Sequence, residues 1–506
     1  MPLINSILSL VNYGRLEEID YFRRNPIEVQ ETQFRQLISK AADTSFGKRH
    51  GFSSIKTRHD FAKKIPVHDY DLLKPYIFRI MRGEQNVLWS SETKWFAKSS
   101  GTTSDKSKFI PISKESLEEC HFRSGKDIYA MFCDSYPETK VFSGKTLTLG
   151  GSTSVNSLTE KSYYGDLSAV LIQNLPFWTY FKRVPRPEIA LMEEWEEKLK
   201  MMIESTVNKN VTNLVGVPSW FLVLLKRIIE ETGAKHILEV WPNLELFIYG
   251  GISFSPYRAV YKSLIPSNSM KYLETYNASE GFFGIQDDLN LDDMLLMLDY
   301  GIYYEFIPID HIGSHSTETV MLEDVEIGKN YALIISTNGG LWRYMIGDTI
   351  SFTSKNPYKI KITGRTKHFI NAFGEELIID NAQKAIYEAC LRTGAQVLEY
   401  TAAPVYMDKD NKGSHEWLFE FSKAPDSIDK FMYVLDIELQ HCNSDYEAKR
   451  YKNMTLEFPK YHVLKEGCFI KWLHSKGKLG GQNKVPRLSN TRNYVEELLT
   501  INETLA

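Results

Sequence analysis

Apolar positions recur at helical spacing through the first 85 or so residues, among many charged ones. From Ile27 to Ala42, the residues Val29, Phe34, Leu37, Ile38 and Ala41 fall on one side of a helix, and Pro26 suits its first turn. The pattern then changes. Trp95-Phe96-Ala97 and Phe109-Ile110-Pro111-Ile112 flank a wholly polar stretch, which predicts strand, loop, strand. Ser113 is placed to cap a helix running to about Met131, and Thr146 to Gly151 reads as a strand ending in a glycine pair. Pro187 to Thr206 reads as one helix, with Trp195, Leu199 and Met202 on its apolar side. Its run of Glu and Lys forms a solvated face.

From Val211 strands and helices alternate, the mark of α/β layers. Val211–217, Leu244–251 and Lys271–276 are strands, separated by helices over Ser219–231 and Ser255–264. Residues 300 to 363 lose the helices and read as β: 302–308, 331–336, 341–345, 349–353 and 359–362. Asn338-Gly339-Gly340 is a hairpin turn, and Gly347-Asp348 is expected at a turn between two strands. After the polar break Gly364-Arg365-Thr366-Lys367-His368 a smaller α+β unit begins. It has helices near 380–392 and 427–441 and strands near 397–406, 416–421 and 461–464. The expected fold is α/β, with a large N-terminal domain of mixed sheets and helices (1–366), a hinge (367–372) and a small α+β C-terminal domain (373–506).

Composition narrows the class. At 506 residues the chain is too long for one ordinary core. With 60 basic against 64 acidic residues, a net charge of -4 supplies no electrostatic reason for nucleic acid or an anionic membrane as partner. The cysteines Cys120, Cys133, Cys390, Cys442 and Cys468 are scattered and never spaced as C-x-x-C, which argues against a disulfide framework or a zinc site. No basic leader and no bilayer-long apolar run is present, so a cytoplasmic protein is expected.

Four polar features carry candidate chemistry. Ser99, Ser100, Thr102, Thr103, Ser104 and Ser107 crowd about Gly101 with Lys98, Lys106 and Lys108. Small hydroxyls, a glycine and lysines offer donors and positive charge to a phosphate chain, although a polar surface hairpin fits as well. It is no Walker loop, because G-x-x-x-x-G-K-[ST] is absent. Asn277 to Glu280 follow a parallel strand, where open α/β sheets bind ligands. Asp348 presents a carboxylate, with ordinary turn chemistry as its alternative. Last, residues 476–487 form a glycine-rich basic stretch: a mobile arm carrying Lys484, or a frayed tail.

The order of these features resembles a known family. S-S-G-T-T at 99–103 with Lys108, T-Y-N-A-S-E at 275–280, L-W-R-Y-M-I-G-D at 341–348 and K-V-P-R at 484–487 are similar to the auxin-responsive acyl-acid amido synthetases, within the adenylate-forming superfamily. The likeness runs from about residue 90 to the end. It implies a two-step ligase that uses ATP and Mg²⁺: a small carboxylic acid is adenylated, and an amino acid's amine then displaces AMP. By resemblance, Ser99, Ser100, Gly101, Thr102, Thr103 and Lys108 would hold pyrophosphate. Tyr276 and Asn277 would lie by the nucleotide, Ser279 near the α-phosphate, and Glu280 on Mg²⁺. Asp348 would accept from the ribose hydroxyls, Arg365 would reach ribose or phosphate, and Lys484 would arrive on the mobile C-terminal domain for adenylation. The alternatives are an acyl-CoA-type ligase with a thiol acceptor and a non-catalytic adenylate-binding protein. Asp105 stands where the family loop often has a second glycine. Trp342 and Met345 replace a tyrosine and an arginine of the plant pattern, so any function of that arginine is either absent or supplied by Arg343. The hinge sequence H-F-I-N-A-F-G-E-E-L resembles the wider superfamily and favours a bacterial-type member.

Overall fold

The computed structural model describes residues 3–100, 107–150, 156–159, 162–175, 181–192, 195–252, 254, 257–312, 318–366, 369–408, 412–453, 455–475 and 486–505. At its centre is an eleven-stranded sheet. From one edge its strands are Ile302–Pro308, Asn330–Thr337, Tyr344–Lys355, Tyr358–Arg365, Met294–Leu296, Gly281–Ile285, Lys271–Ala278, Leu246–Gly250, Val211–Gly216, Lys145–Leu149 and Arg183–Val184. The neighbours are antiparallel as far as Lys271–Ala278 and parallel beyond it. That switch accounts for the change of pattern in the sequence. Parallel strands need crossover helices, here Pro218–Thr232 and Arg258–Leu264, whereas antiparallel strands need only turns.

A second, four-stranded sheet holds Ser107–Ile112, Trp95–Ser100, Ser162–Gly165 and Asn156–Thr159 in that order. The helix Pro26–Ala41 buries Phe34, Leu37, Ile38 and Ala41 together with Gln30. The Gln30 amide donates to the carbonyls of Leu298 and Ile302 and accepts from Tyr304 N, each at 2.9 Å, so a buried polar group is satisfied while the helix is tied to the sheet. Ser113 does cap its helix, its Oγ accepting from Ser116 N at 3.0 Å. The first turns, Ser116–Phe122, are π-helical before the α-helix Arg123–Ser135.

Three expectations are corrected. The helix expected over 187–206 is two helices, Pro187–Ala190 and Trp195–Thr206. Of the expected apolar side, Leu199 and Met202 are buried, while the side chain of Trp195 lies outside what is described. The two strands expected at 341–345 and 349–353 are one, Tyr344–Lys355, so Gly347-Asp348 is not a turn. Ala332 pairs with Thr349 and Ile334 with Met345, leaving Ile346, Gly347 and Asp348 as a bulge opposite Leu333. Asn277 and Ala278 also belong to a strand rather than a loop; only Ser279 and Glu280 make the turn.

The C-terminal part has a three-stranded sheet, Gln396–Val405, Ser414–Lys423 and Lys460–Leu464, with helices Ile379–Thr393 and Ile428–Cys442. Helices Ser444–Arg450, Cys468–Ser475 and Asn493–Thr504 are additional to those expected. The two parts share a core: one buried cluster runs from Leu147, Leu214, Phe221 and Phe247 through Ile370, Phe373 and Leu377 to Trp417 and Phe431. Lys449 Nζ lies 4.3 Å from the centre of the Trp220 ring, and Asn371 N donates to Asn490 Oδ1 at 2.8 Å. Among the described residues no helix is long and apolar enough to cross a membrane.

Candidate active site

The switch from parallel to antiparallel pairing creates a corner at the end of Lys271–Ala278. Gly250 ends the neighbouring parallel strand. A Cβ there would lie 2.7 Å from both Asn277 Oδ1 and Thr275 O, so glycine is what lets the two strand ends approach. Asn277 is exposed beyond this contact, and Ser279 and Glu280 are half-buried at the turn. Tyr276, one residue earlier, is buried, and its hydroxyl donates to Asp348 Oδ2 at 2.8 Å.

The bulge is what aims Asp348. Gly347 has φ +99°, a conformation that residues with a Cβ avoid, and Asp348 lies directly across from Arg365 on the next strand. Arg365 Nε donates to Asp348 Oδ1 at 2.7 Å. Its two terminal nitrogens reach Glu376 at 3.3 and 3.4 Å, and its guanidinium carbon lies 5.2 Å from the centre of the Phe369 ring. Burial opposes the charge of Arg365, but Glu376 and Asp348 more than offset that and hold it protonated. Burial, reinforced by Asp348, keeps the Tyr276 phenol a firm donor. Burial also pushes the Glu280 carboxyl above the usual carboxylate range; Lys108 pulls it down, while Glu376 and Asp348 push it further up.

Lys108 sits opposite Ser99, and Ser107 opposite Ser100, where Trp95–Ser100 and Ser107–Ile112 pair. Its charge is felt at Glu280, so the base of the hydroxyl-rich hairpin comes to the same corner as Tyr276, Asp348 and Arg365. Gly101, Thr102, Thr103 and Asp105 fall outside the described residues, as does Lys484. The chain is described again from Pro486, whose carbonyl accepts from Thr401 Oγ1 at 2.6 Å; Ala402 N donates to Arg487 O at 3.0 Å. The root of the basic arm is therefore pinned to the C-terminal sheet.

Arg343 is no substitute for the missing plant arginine. It is buried, pairs with Glu305 at 2.9 Å, donates to Ala62 O and Thr319 Oγ1 at 2.7 and 2.8 Å, and contacts Ile65 O. Its cation is committed to holding loops against the sheet. Glu376 is not among the candidates that the sequence offers. The only sign of it was the G-E-E-L pair, whose members diverge: Glu375 turns inward to His415 Nε2 at 2.8 Å with neither side chain exposed, and Glu376 turns to Arg365.

Among the described residues no cluster of three or more His, Cys, Asp or Glu is arranged to hold a metal. A lone Glu280 still suits Mg²⁺, which commonly takes one or two carboxylates and completes its shell with phosphate oxygens and water. Burial raises the proton affinity of Glu280, with Glu376 and Asp348 adding to it, and a carboxylate in such a setting gains from a nearby cation.

Comparison with known proteins places this corner in context. Residues 15–270 match the GH3 family N-terminal domain, 295–365 the GH3 family central domain and 380–493 the GH3 family C-terminal domain. The chain belongs to the GH3 family. Indole-3-acetic acid-amido synthetase GH3.4 of Arabidopsis thaliana is 25% identical, with 93% of this chain and 91% of that protein covered. The 4-substituted benzoates-glutamate ligase GH3.12 of Arabidopsis thaliana is 23% identical, covering 94% and 95%. The fold of this GH3 chain is that of the acyl acid amido synthetase GH3.15 (TM-score 0.63, 17% identity, 96% and 95% covered). It is shared with 2-hydroxyisobutyryl-CoA ligase (TM-score 0.56, 14% identity, 95% and 93% covered).

Proposed function

We propose that this GH3 chain is an ATP-dependent ligase that adenylates a small carboxylic acid and passes the acyl group to the amine of an amino acid. The observation that supports it best is the joining of Tyr276, Asp348 and Arg365 beside Glu280 and Lys108. These residues bring carboxylate acceptors for vicinal hydroxyls, two cations and a hard oxygen ligand to one corner of the sheet. In the first step a carboxylate oxygen attacks the α-phosphorus and pyrophosphate leaves. In the second the amine nitrogen attacks the acyl carbon, loses its proton and expels AMP.

Ser99, Ser100, Gly101, Thr102, Thr103 and Lys108 bind pyrophosphate as its charge builds. Tyr276 and Asn277 line the nucleotide, Ser279 meets the α-phosphate, and Asp348 takes the ribose hydroxyls with a lone pair still free on each oxygen. Arg365 supports ribose or phosphate once Glu376 releases it. Glu280 would hold Mg²⁺, which when bound would neutralise phosphate charge. Lys484 acts as the adenylating cation, delivered by rotation of the small domain (373–506) about a hinge at 367–372 relative to the large domain (1–366). We place the reaction in the cytoplasm, which the five free cysteines support.

Carboxylate-dependent ATP–pyrophosphate exchange tests the reading, with indole acetates, benzoates and short aliphatic acids as substrates. Exchange with at least one acid is expected, and its absence with all of them overturns the reading. Product analysis with amino acids against coenzyme A then separates the amide-forming reaction from a thioester-forming ligase of the same fold.

A further inference from the structure

Arg365 and Glu376 stand on either side of the segment 367–372 and meet across it. Arg365 ends the strand Tyr358–Arg365 of the large sheet. The backbone of Glu376 is held from the other side. Asn443 Nδ2 donates to its carbonyl at 3.1 Å, and the same asparagine caps the helix Ser444–Arg450 of the small part. The ion pair is thus a polar link between the two parts, apart from their shared apolar core.

The two carboxylates that share Arg365 hold it unequally. Asp348 accepts from Nε at 2.7 Å, the length of a strong charged hydrogen bond, whereas Glu376 accepts from the two terminal nitrogens at 3.3 and 3.4 Å. The Asp348 side chain is 13% exposed and that of Glu376 31%, so the longer contact is also the wetter one. It is the contact that yields, because an ion pair open to water contributes little. A half-buried guanidinium still gains from a counter-charge, and Glu376 leaves most readily when another anion takes the same two nitrogens. Their planar fork fits a phosphate as it fits a carboxylate.

We propose that the Arg365–Glu376 pair is a latch on the small domain, and that a phosphate of the bound nucleotide opens it by displacing Glu376 from Arg365. The latch rests on the nucleotide-ligase reading above and makes Glu376 a positioning residue, acting through Arg365. Nucleotide binding and rotation about 367–372 then favour one another. The phosphate removes a contact that rotation must break, and rotation removes an anion that competes with the phosphate.

Titration calorimetry of the whole protein with AMP and with adenosine tests the latch without turnover, using the parent and Glu376→Gln. The substitution keeps the size of the side chain and removes its charge. AMP is expected to bind the variant about threefold more tightly, while adenosine, which has no phosphate, binds both proteins alike. Hydrogen exchange gives a second reading that needs no variant. It follows the segment 369–378, where the paired strands Phe369–Ile370 and Leu377–Ile378 enclose the turn that carries Glu376. AMP is expected to quicken exchange there in the parent and adenosine to leave it unchanged. A variant that shifts AMP and adenosine equally, or shifts neither, overturns the latch and leaves the nucleotide reading in place. So does a segment 369–378 that bound AMP does not quicken. A parent that binds neither AMP nor ATP overturns the nucleotide reading itself, and the latch with it.

Discussion

Glu274 shows how a neighbourhood retunes a single side chain. Burial, with Asp292 adding to it and Arg258 opposing, pushes its carboxyl from the usual 4.5 up to about 7. An acid raised in the folded state keeps a proton that the unfolded chain has released. Stability therefore falls as pH rises from 4.5 to 7, and the deficit is complete above 7. Glu274→Gln is accordingly expected to stabilise the protein by roughly 1–3 kcal/mol at pH 8 and to change nothing at pH 4, as read by urea denaturation at the two pH values. An equal effect at both would sink this account. Glu274 directly precedes the T-Y-N-A-S-E motif, yet nothing in its own identity announces the shift. The same holds for Glu375 and Glu376, identical neighbours of which one is buried against His415 and the other meets Arg365. Their backbones differ as well: Glu376 adopts φ +41°, a left-handed conformation that Glu375 does not share.

The bulge at 346–348 is the element on which the candidate site depends most. Its glycine is visible in the sequence and predicts a turn there, because Gly-Asp breaks a strand pattern in either case. What distinguishes a bulge from a turn is the partner strand, and register is not written in one strand alone. A Cβ on Gly347 would meet nothing nearer than Thr366 Oγ1 at 3.9 Å, so there is space for a methyl group and the cost of adding one lies in the backbone. Gly347→Ala is expected to lose about 1–2 kcal/mol of stability and to weaken ATP binding several-fold as Asp348 is re-aimed. Denaturation and ATP titration check the two parts; full stability with unaltered ATP binding would show that the bulge does not need its positive φ. The hairpin base at Ser99 and Lys108, by contrast, was legible, since apolar runs on both sides of a polar stretch leave a strand pair as the simplest way to bury them.

In the molecule as a whole, the large and small parts share one buried cluster, and the Arg365–Glu376 pair bridges the segment between them. The proposed rotation of the small domain would break such contacts, the Lys449–Trp220 pair among them. Pro486 and Arg487, which follow Lys484 in the chain, are bonded to the C-terminal sheet, so the proposed rotation would carry Lys484 with the small domain. Lys484→Ala is expected to cut ATP–pyrophosphate exchange by about 10²-fold or more while ATP binding stays within about twofold. Parallel loss of exchange and binding would mean that Lys484 is a plain binding residue.

Motif order, the run of strands and helices and the outline of a large α/β part followed by a smaller α+β part were determined by the sequence alone. They rest on local properties: hydrophobic period, turn chemistry and the spacing of residues that act as a set. Tertiary structure alone decided which of two strand directions each pair takes, that Gly347-Asp348 is a bulge, that Arg343 is consumed in the core, and that Glu376 meets Arg365. Each of these depends on which distant segment lies alongside, and that is settled only when the whole core packs and every buried polar group must find, or forgo, its partner.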